Sequence, residues 1–373
     1  MEVSLRTGGK RPAQKGRRNR KDLDRAGPEG PLILFTKIRE EGEMKKLLVC
    51  SLVLGLTLAG LDRGIPEAAE ITLRYAGNLP IGHHVTRGQE LLAKLVEEKT
   101  GGKVKVQVYP AGQLFSDKDM MKAVPAGAVD MAEVTLSQWT GIVPNLLLLD
   151  LPLFFSDRGQ VWRTVDGQAG ELLKQDLEKA GVKLLYWMDY GMADFISKKP
   201  IKTLEDFKGK RIRGYGELIT ESIRGLGGAP TFLGAGEVYM ALQRGTIDGA
   251  ASGTTSFYER KLYEVTKHVT HADYAFVMFG VLMNLKKWNE LSPDLQKIFT
   301  ACSKEAEEWG RKECEKMDKE SMELLKQKGM EVFVVPDKEK ERWKKASVPA
   351  VERFLKRAGD RGKELMEMAE KAR

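Results

Sequence analysis

EDFKGKRIRG at 205–214 and GEVYMALQRGTIDGAAS at 236–252 decide how this chain folds. The first stretch closes a short amphipathic segment at Gly209 and runs at once into a strand-like run carrying Arg213, which points a permanent cation out of a sheet edge. The second reads as a helix end, then Gly245 in the left-handed position that terminates helices, then a short strand entry and Asp248. AVPAGAVDM at 123–131 repeats that order with Gly127 and Asp130, 118 residues earlier. Such a spacing excludes a solenoid and fits one βαβ unit in each of two related lobes. A chance match is the competing reading, since glycine after a helix is common.

The surrounding text alternates strands with helices. ITLRYA at 71–76 reads as a strand, and 85–99 as a helix whose Leu91, Leu92, Leu95 and Val96 form one apolar stripe, stopped by Gly101 and Gly102. KVKVQVY at 103–109 places Val104, Val106 and Val108 on one face of a strand. This is α/β text, and it predicts parallel pairing through right-handed crossovers. Ser292 with Pro293 begins a helix, and Leu295, Ile298, Phe299, Cys302, Ala306 and Trp309 keep helical spacing in a segment that reaches about Lys328. About 36 helical residues extend ~54 Å, more than one lobe is wide, so this helix is predicted to span both lobes. A coiled-coil dimerisation arm competes, but the stripe is not a sustained heptad.

A chain of 373 residues with 42% apolar content predicts two packed domains and excludes disorder throughout. The net charge of +8 is concentrated at the start. Residues 1–43 hold 11 Lys/Arg against 7 Asp/Glu and residues 44–69 hold 3 against 2, which leaves +3 from Glu70 onward. That is an ordinary surface and argues against nucleic acid as a partner. Met44 opens a secretory pattern: Lys45 and Lys46, an apolar run from Leu47 to Ala59, and small residues at Ala68 and Ala69. A signal peptide over 44–69 is expected, with the mature protein starting near Glu70; the alternative, a membrane anchor, needs a longer run. Residues 1–43 read as a non-native or disordered extension ahead of the natural start. Cys302 and Cys314 remain after export, ~18 Å apart along one predicted helix and so beyond disulfide reach.

No catalytic constellation is apparent. His83 and His84 follow a predicted strand, His268 and His271 come much later, and none has a Ser, Cys or acidic partner at recognisable spacing. Metal-ligand spacing and phosphate-binding glycine loops are missing too, so no metal, no cofactor and no enzymatic activity are expected. Binding accounts better for the pattern. The planar fork of Arg213 donates two parallel hydrogen bonds, which suits a carboxylate; an ion pair with Glu217 or Asp189 is the competing use.

Five stretches carry a family resemblance: EEKTGGKVKVQVYPAGQL at 97–114, LPLFF at 151–155, KTLEDFKGKRIRG at 202–214, EVYMALQRGTIDG at 237–249 and LSPDLQKIF at 291–299. In order and spacing, from about Ile71 to about Phe354, the chain resembles the periplasmic substrate-binding proteins of TRAP transporters, the DctP-like family. The resemblance implies an α/β, two-lobe periplasmic binding protein fold crossed by hinge strands and backed by the long helix. Lobe I would hold 70–190 plus 280–318 and lobe II 191–279 plus 319–373. It implies capture of a small organic acid between the lobes for delivery to TRAP permease membrane subunits, without catalysis. A periplasmic ligand sensor of the same fold, feeding a signalling receptor, is the alternative.

The resemblance also assigns residues. Arg213 falls on the family's carboxylate-binding arginine, and Asn78 and Thr135 fall on polar pocket positions. Sialic-acid-type members carry a further arginine where this chain has Ala193, and Ala251 and Ser252 replace the usual acidic–amide pair after the Asp-Gly motif. One strong carboxylate clamp is thus expected, which favours a smaller or more apolar monocarboxylate over a large hydroxylated sugar acid. Ser252 and His83 complete the polar candidates. Trp187, Tyr190 and Tyr215 form a stacking wall or, equally, part of the core, while Phe154 and Phe155 read as core rather than lining.

Overall fold

Leu73 and Tyr75 on Ile71–Ala76 (β1) and Val104 and Val106 on Val104–Tyr109 (β2) are buried on one side of a parallel pair, with Ile71 opposite Val104. The helix His84–Lys99 joins the two strands and turns Leu92 and Val96 into the same core. The computed structural model describes residues 71–373; the expected signal peptide and the extension 1–43 lie outside the described residues.

Seven further strands complete one sheet: Met131–Thr135 (β3), Val182–Ser197 (β4), Arg211–Gly214 (β5), Ala229–Phe232 (β6), Gly249–Gly253 (β7), His268–Asn284 (β8) and Glu331–Val334 (β9). Their order is β2-β1-β3-β8-β4-β7-β5-β6, with β9 on the free length of β8. Pairing is parallel at each end, where β1 joins β2 and β3 and where β5 joins β6 and β7, as the sequence predicts. It is antiparallel in the middle, where β8 joins β3 and β4 and where β4 joins β7. The reversal follows from length. With 16 and 17 residues, β4 and β8 run through both lobes, one leaving the first lobe and the other returning to it.

The internal repeat is a shared device. Asp130 accepts from the backbone N–H of Arg74 at 2.8 Å, and Asp248 accepts from that of Arg211 at 2.9 Å. Registers agree as well: Tyr75 lies opposite Met131 as Ile212 lies opposite Gly249. Gly127 and Gly245 both end their segments with φ near +70° (72° and 74°), where a Cβ is disfavoured. The crossing strand β4 slips register between Asp189 and Gly191. Gly191 has φ +105°, and a Cβ there would sit 2.7 Å from Asp318 Oδ2, so the bulge requires glycine.

The predicted long helix is Pro293–Gln327, 35 residues and so ~52 Å, with the Ser292 hydroxyl accepting from Leu295 N–H at 3.3 Å. It packs on His84–Lys99, on β4 and on the helix Thr254–Glu259, and thus touches both lobes. Cys302 and Cys314 are buried in it as free thiols. The last helix, Val348–Lys371, departs from the expected division. Its Phe354, Leu365 and Ala369 are buried in one core with Leu146, Leu149 and Leu173 of the first lobe, and it also packs on Glu217–Gly225 of the second. The leucine run 146–149 presents the apolar surface that this amphipathic helix must cover, so 319–373 does not belong wholly to lobe II. No helix among the described residues is long and apolar enough to cross a membrane.

Candidate functional site

Ile212 and Arg213 occupy successive positions of β5 and so face opposite sides of the sheet. Ile212 enters the core; Arg213, only 3% exposed, enters a small cavity between the lobes. Its Nε donates to the Leu233 carbonyl at 2.9 Å and its Nη1 to the Ala251 carbonyl at 2.8 Å. These neutral acceptors fix the guanidinium plane without cancelling its charge. Among the described residues no carboxylate forms a salt bridge with it. Glu217 is engaged by Arg353 and Arg357, and Asp189 by Arg158 at 3.2 Å, which removes both competing ion pairs. Burial, then repulsion from Arg260, lowers the Arg213 pKa to about 10.

The wall opposite Arg213 comes from the first lobe, with Thr135 at the end of β3 and Gln138 one turn on. Both donate to the same oxygen of Asp117, Thr135 at 3.3 Å. Burial is the main cause that raises Asp117 to about 6. The crossing strands supply Tyr190, Val277 and Phe279, and the second lobe supplies Tyr215, Ala235, Ser252 and Arg260. Tyr190 stacks on Phe279 with centroids 4.8 Å apart, and Arg213 lies 5.7 Å from the Tyr215 ring centroid. Among the described residues the buried Tyr215 hydroxyl has no hydrogen-bond partner, a group left for something in the cavity to satisfy.

Five of the expected ligand-binding residues therefore meet around one space: Arg213, Thr135, Ser252, Tyr190 and Tyr215. Asn78 sits next door. With Asp117 and the 234–237 turn it lines an adjoining space that shares Ala235 with the cavity, and both polar atoms of its amide are buried there. Trp187 and His83 are not in the cavity. Trp187 is buried in the first-lobe core, because that stretch of β4 is covered by it. His83 caps the helix His84–Lys99 and stacks behind Tyr190 at 5.3 Å; burial lowers its pKa to about 4. Phe154 and Phe155 pack edge to face in the first-lobe core.

Arg260, Gln138, Asp117 and Phe279 were not legible as site residues. Arg260 stands in YERK, which reads as a solvated charge run, yet it follows the helix Thr254–Glu259 into the cavity and donates to the Ala235 carbonyl. The expectation of a single cation is thus corrected: two guanidinia line the cavity. Gln138 lies three positions after Thr135, one helical turn, and that spacing was the available signal.

A wider groove of about 750 Å³ also opens between the lobes, beside Lys118 and Phe232. Its arginines are already paired, Arg224 with Glu221 and Arg353 with Glu217, so neither guanidinium is free to grip a carboxylate there. A nucleophilic relay is not formed either. His83 Nε2 meets both Ser256 Oγ at 3.3 Å and Glu259 Oε2 at 3.0 Å, while its Nδ1 accepts from Val85 N–H. Hydroxyl and acid share one ring nitrogen, whereas a triad needs one on each.

Two lobes crossed by two long strands, around a cavity lined by Arg213 and Arg260, define a binding protein of the two-lobe periplasmic type. Residues 75–357 match the DctP family, bacterial extracellular solute-binding protein family 7, and the chain belongs to it. It is 29% identical over 265 residues to the C4-dicarboxylate-binding protein DctB of Bacillus subtilis, covering 70% of this chain and 76% of that one. Among solved structures, a TRAP periplasmic solute-binding protein from Sulfurospirillum deleyianum with bound succinate superposes with TM-score 0.77 at 29% identity, covering 82% of this chain and 100% of that one. One from Sulfitobacter with bound β-D-galacturonate gives 0.77 at 27% identity, covering 80% and 99%. The chain is a DctP-like solute-binding protein of the TRAP type.

Proposed function

We propose that this protein captures a small organic acid carrying two anionic groups and hands it to TRAP permease membrane subunits without altering it. One observation carries the reading: Arg213 and Arg260 line one cavity, and among the described residues neither forms a salt bridge with a carboxylate, their guanidinium donors going to backbone carbonyls. Holding a buried Arg213 beside a half-buried Arg260 is costly, and a bound dianion would offset that cost. The single clamp read from the sequence favoured a monocarboxylate, and Arg260 moves the preference to a small dicarboxylate. The dicarboxylate named for the Bacillus relative and the succinate in the Sulfurospirillum structure support the same class. Arg213 would grip one carboxylate from the second lobe while Thr135 and Gln138 reach the ligand from the first. Contacts with both sides favour closure only to the extent that the ligand binds the closed form better. Family membership supports an extracytoplasmic site of action, reached through the signal peptide at 44–69.

A thermal-shift series with succinate, its half-amide and its diamide tests this. A ligand at 100 times its Kd adds about 2.7 kcal/mol of stability. The diacid should stabilise most and the diamide not at all. Equal responses to all three would overturn the two-cation reading, and turnover of the acid would overturn the binding role.

A further inference from the structure

Behind Tyr190, outside the ligand cavity, His83 and His84 of the first lobe meet Glu259 of the second. His84 is fully buried, and its Nε2 lies 3.1 Å from the carbonyl oxygen of Asp189. A carbonyl only accepts, so Nε2 carries the proton and Nδ1 presents a lone pair. That lone pair faces Glu259 Oε2, 3.7 Å away, and among the described residues His84 Nδ1 has no hydrogen-bond partner. A buried imidazole lone pair facing a carboxylate oxygen offers two ligand atoms that one metal cation can share. His83 Nε2 stands 3.0 Å from the same carboxylate oxygen, and the three donor atoms lie within 4.8 Å of one another. Ligands about 2.1 Å from a tetrahedral metal are about 3.4 Å apart, close to the 3.0 and 3.7 Å that separate Glu259 Oε2 from the two imidazole nitrogens.

We propose that His83, His84 and Glu259 form a site for a divalent transition metal of the zinc type that ties the two lobes together. Two imidazoles and one carboxylate suit Zn²⁺, Co²⁺ or Ni²⁺. The His84 ring is already oriented as metal-ligating histidines are, with its second nitrogen donating to a backbone carbonyl. Ligation by His83 moves its proton from Nε2 to Nδ1, giving up the long 3.3 Å contact with Val85 N–H. The sequence offered no metal spacing because the third ligand is 175 residues beyond His84.

Co²⁺ titration of the purified, ligand-free protein tests the site. About one equivalent should bind with the visible absorption of a low-coordinate imidazole–carboxylate complex, and Zn²⁺ should displace it. Loss of an outer-shell partner typically weakens metal sites about 10–100-fold, so removing a ligand in His84→Ala or Glu259→Gln should cost at least about 100-fold. His268→Ala should change nothing. Glu259→Gln is nearly isosteric and keeps the test decisive if His84→Ala fails to fold. No saturable binding, or binding undiminished in Glu259→Gln, overturns the proposal.

Discussion

Arg213 donates from Nη1 to the carbonyl of Ala251 at 2.8 Å, so a strand neighbour in the sheet aims the guanidinium that faces the cavity. The fork is therefore pre-set before any ligand arrives. Arg213→Ala should weaken acid binding by about 2–5 kcal/mol, since a desolvated carboxylate would lose its donors. Arg213→Lys should recover only part of this, because a point charge cannot reproduce two parallel hydrogen bonds. Melting without ligand should move little: the substitution removes an unneutralised buried charge but strands two carbonyls. Calorimetry that finds wild-type affinity in Arg213→Ala would remove the central residue of the proposed site.

Arg260 separates diacids from monoacids. Hydrogen bonds to charged groups contribute about 1.5–3 kcal/mol. Arg260→Ala should cost about that much for a dicarboxylate and much less for its half-amide. A uniform loss for both ligands would mean that Arg260 braces the 235 turn through its bond to the Ala235 carbonyl and does not contact the acid.

The pair of His271 with Asp194 gives a stability signature. Its Nδ1 lies 2.6 Å from Asp194 Oδ2, and this hydrogen bond is the main cause that raises the His271 pKa from 6.5 to about 9. A raised histidine stabilises fully below its unfolded value, so the contribution is present below 6.5 and is lost as pH rises through 9. Wild type should therefore lose stability across that window relative to His271→Gln, whose melting should be flatter there. Parallel curves for the two proteins would show that the imidazole is not charged in the fold.

How far the sequence could be read follows from which features are local. Strand β1, the helix after it, β2 and the long helix from Pro293 were legible because period and caps are written within a few residues. So was the Gly–Asp repeat, since each copy is confined to nine residues and its strand pairing follows from it. The antiparallel centre was not, because β4 and β8 are buried along most of their length and so show no alternation to read. Arg213 was legible as a cation on a strand. Arg260 was not, since a charge run reads as solvent-facing unless the fold is known to close over it. Trp187 misled for the opposite reason: an aromatic ring looks the same in a core as on a pocket wall, and only the cover on β4 decides.

Asp117 should make ligand binding depend on pH. Burial raises its pKa from 3.8 to about 6, so in the ligand-free fold it is mostly protonated below 6 and ionised above. Thr135 and Gln138, which line the cavity, donate to its Oδ2, which brings any negative charge on Asp117 close to a bound acid. An ionised Asp117 repels that acid, and by linkage a bound acid raises the Asp117 pKa further. Affinity should therefore fall as pH rises through about 6, with a slope no steeper than about tenfold per pH unit for one proton. The same shift lowers fold stability as pH rises from 3.8 towards 6. Asp117→Asn keeps an acceptor for Thr135 and Gln138 but cannot ionise, so it should bind with a flat profile near the low-pH affinity of wild type. The measurement is calorimetry with an acid that stays fully ionised over the range. A slope that persists unchanged in Asp117→Asn would place the titrating group elsewhere.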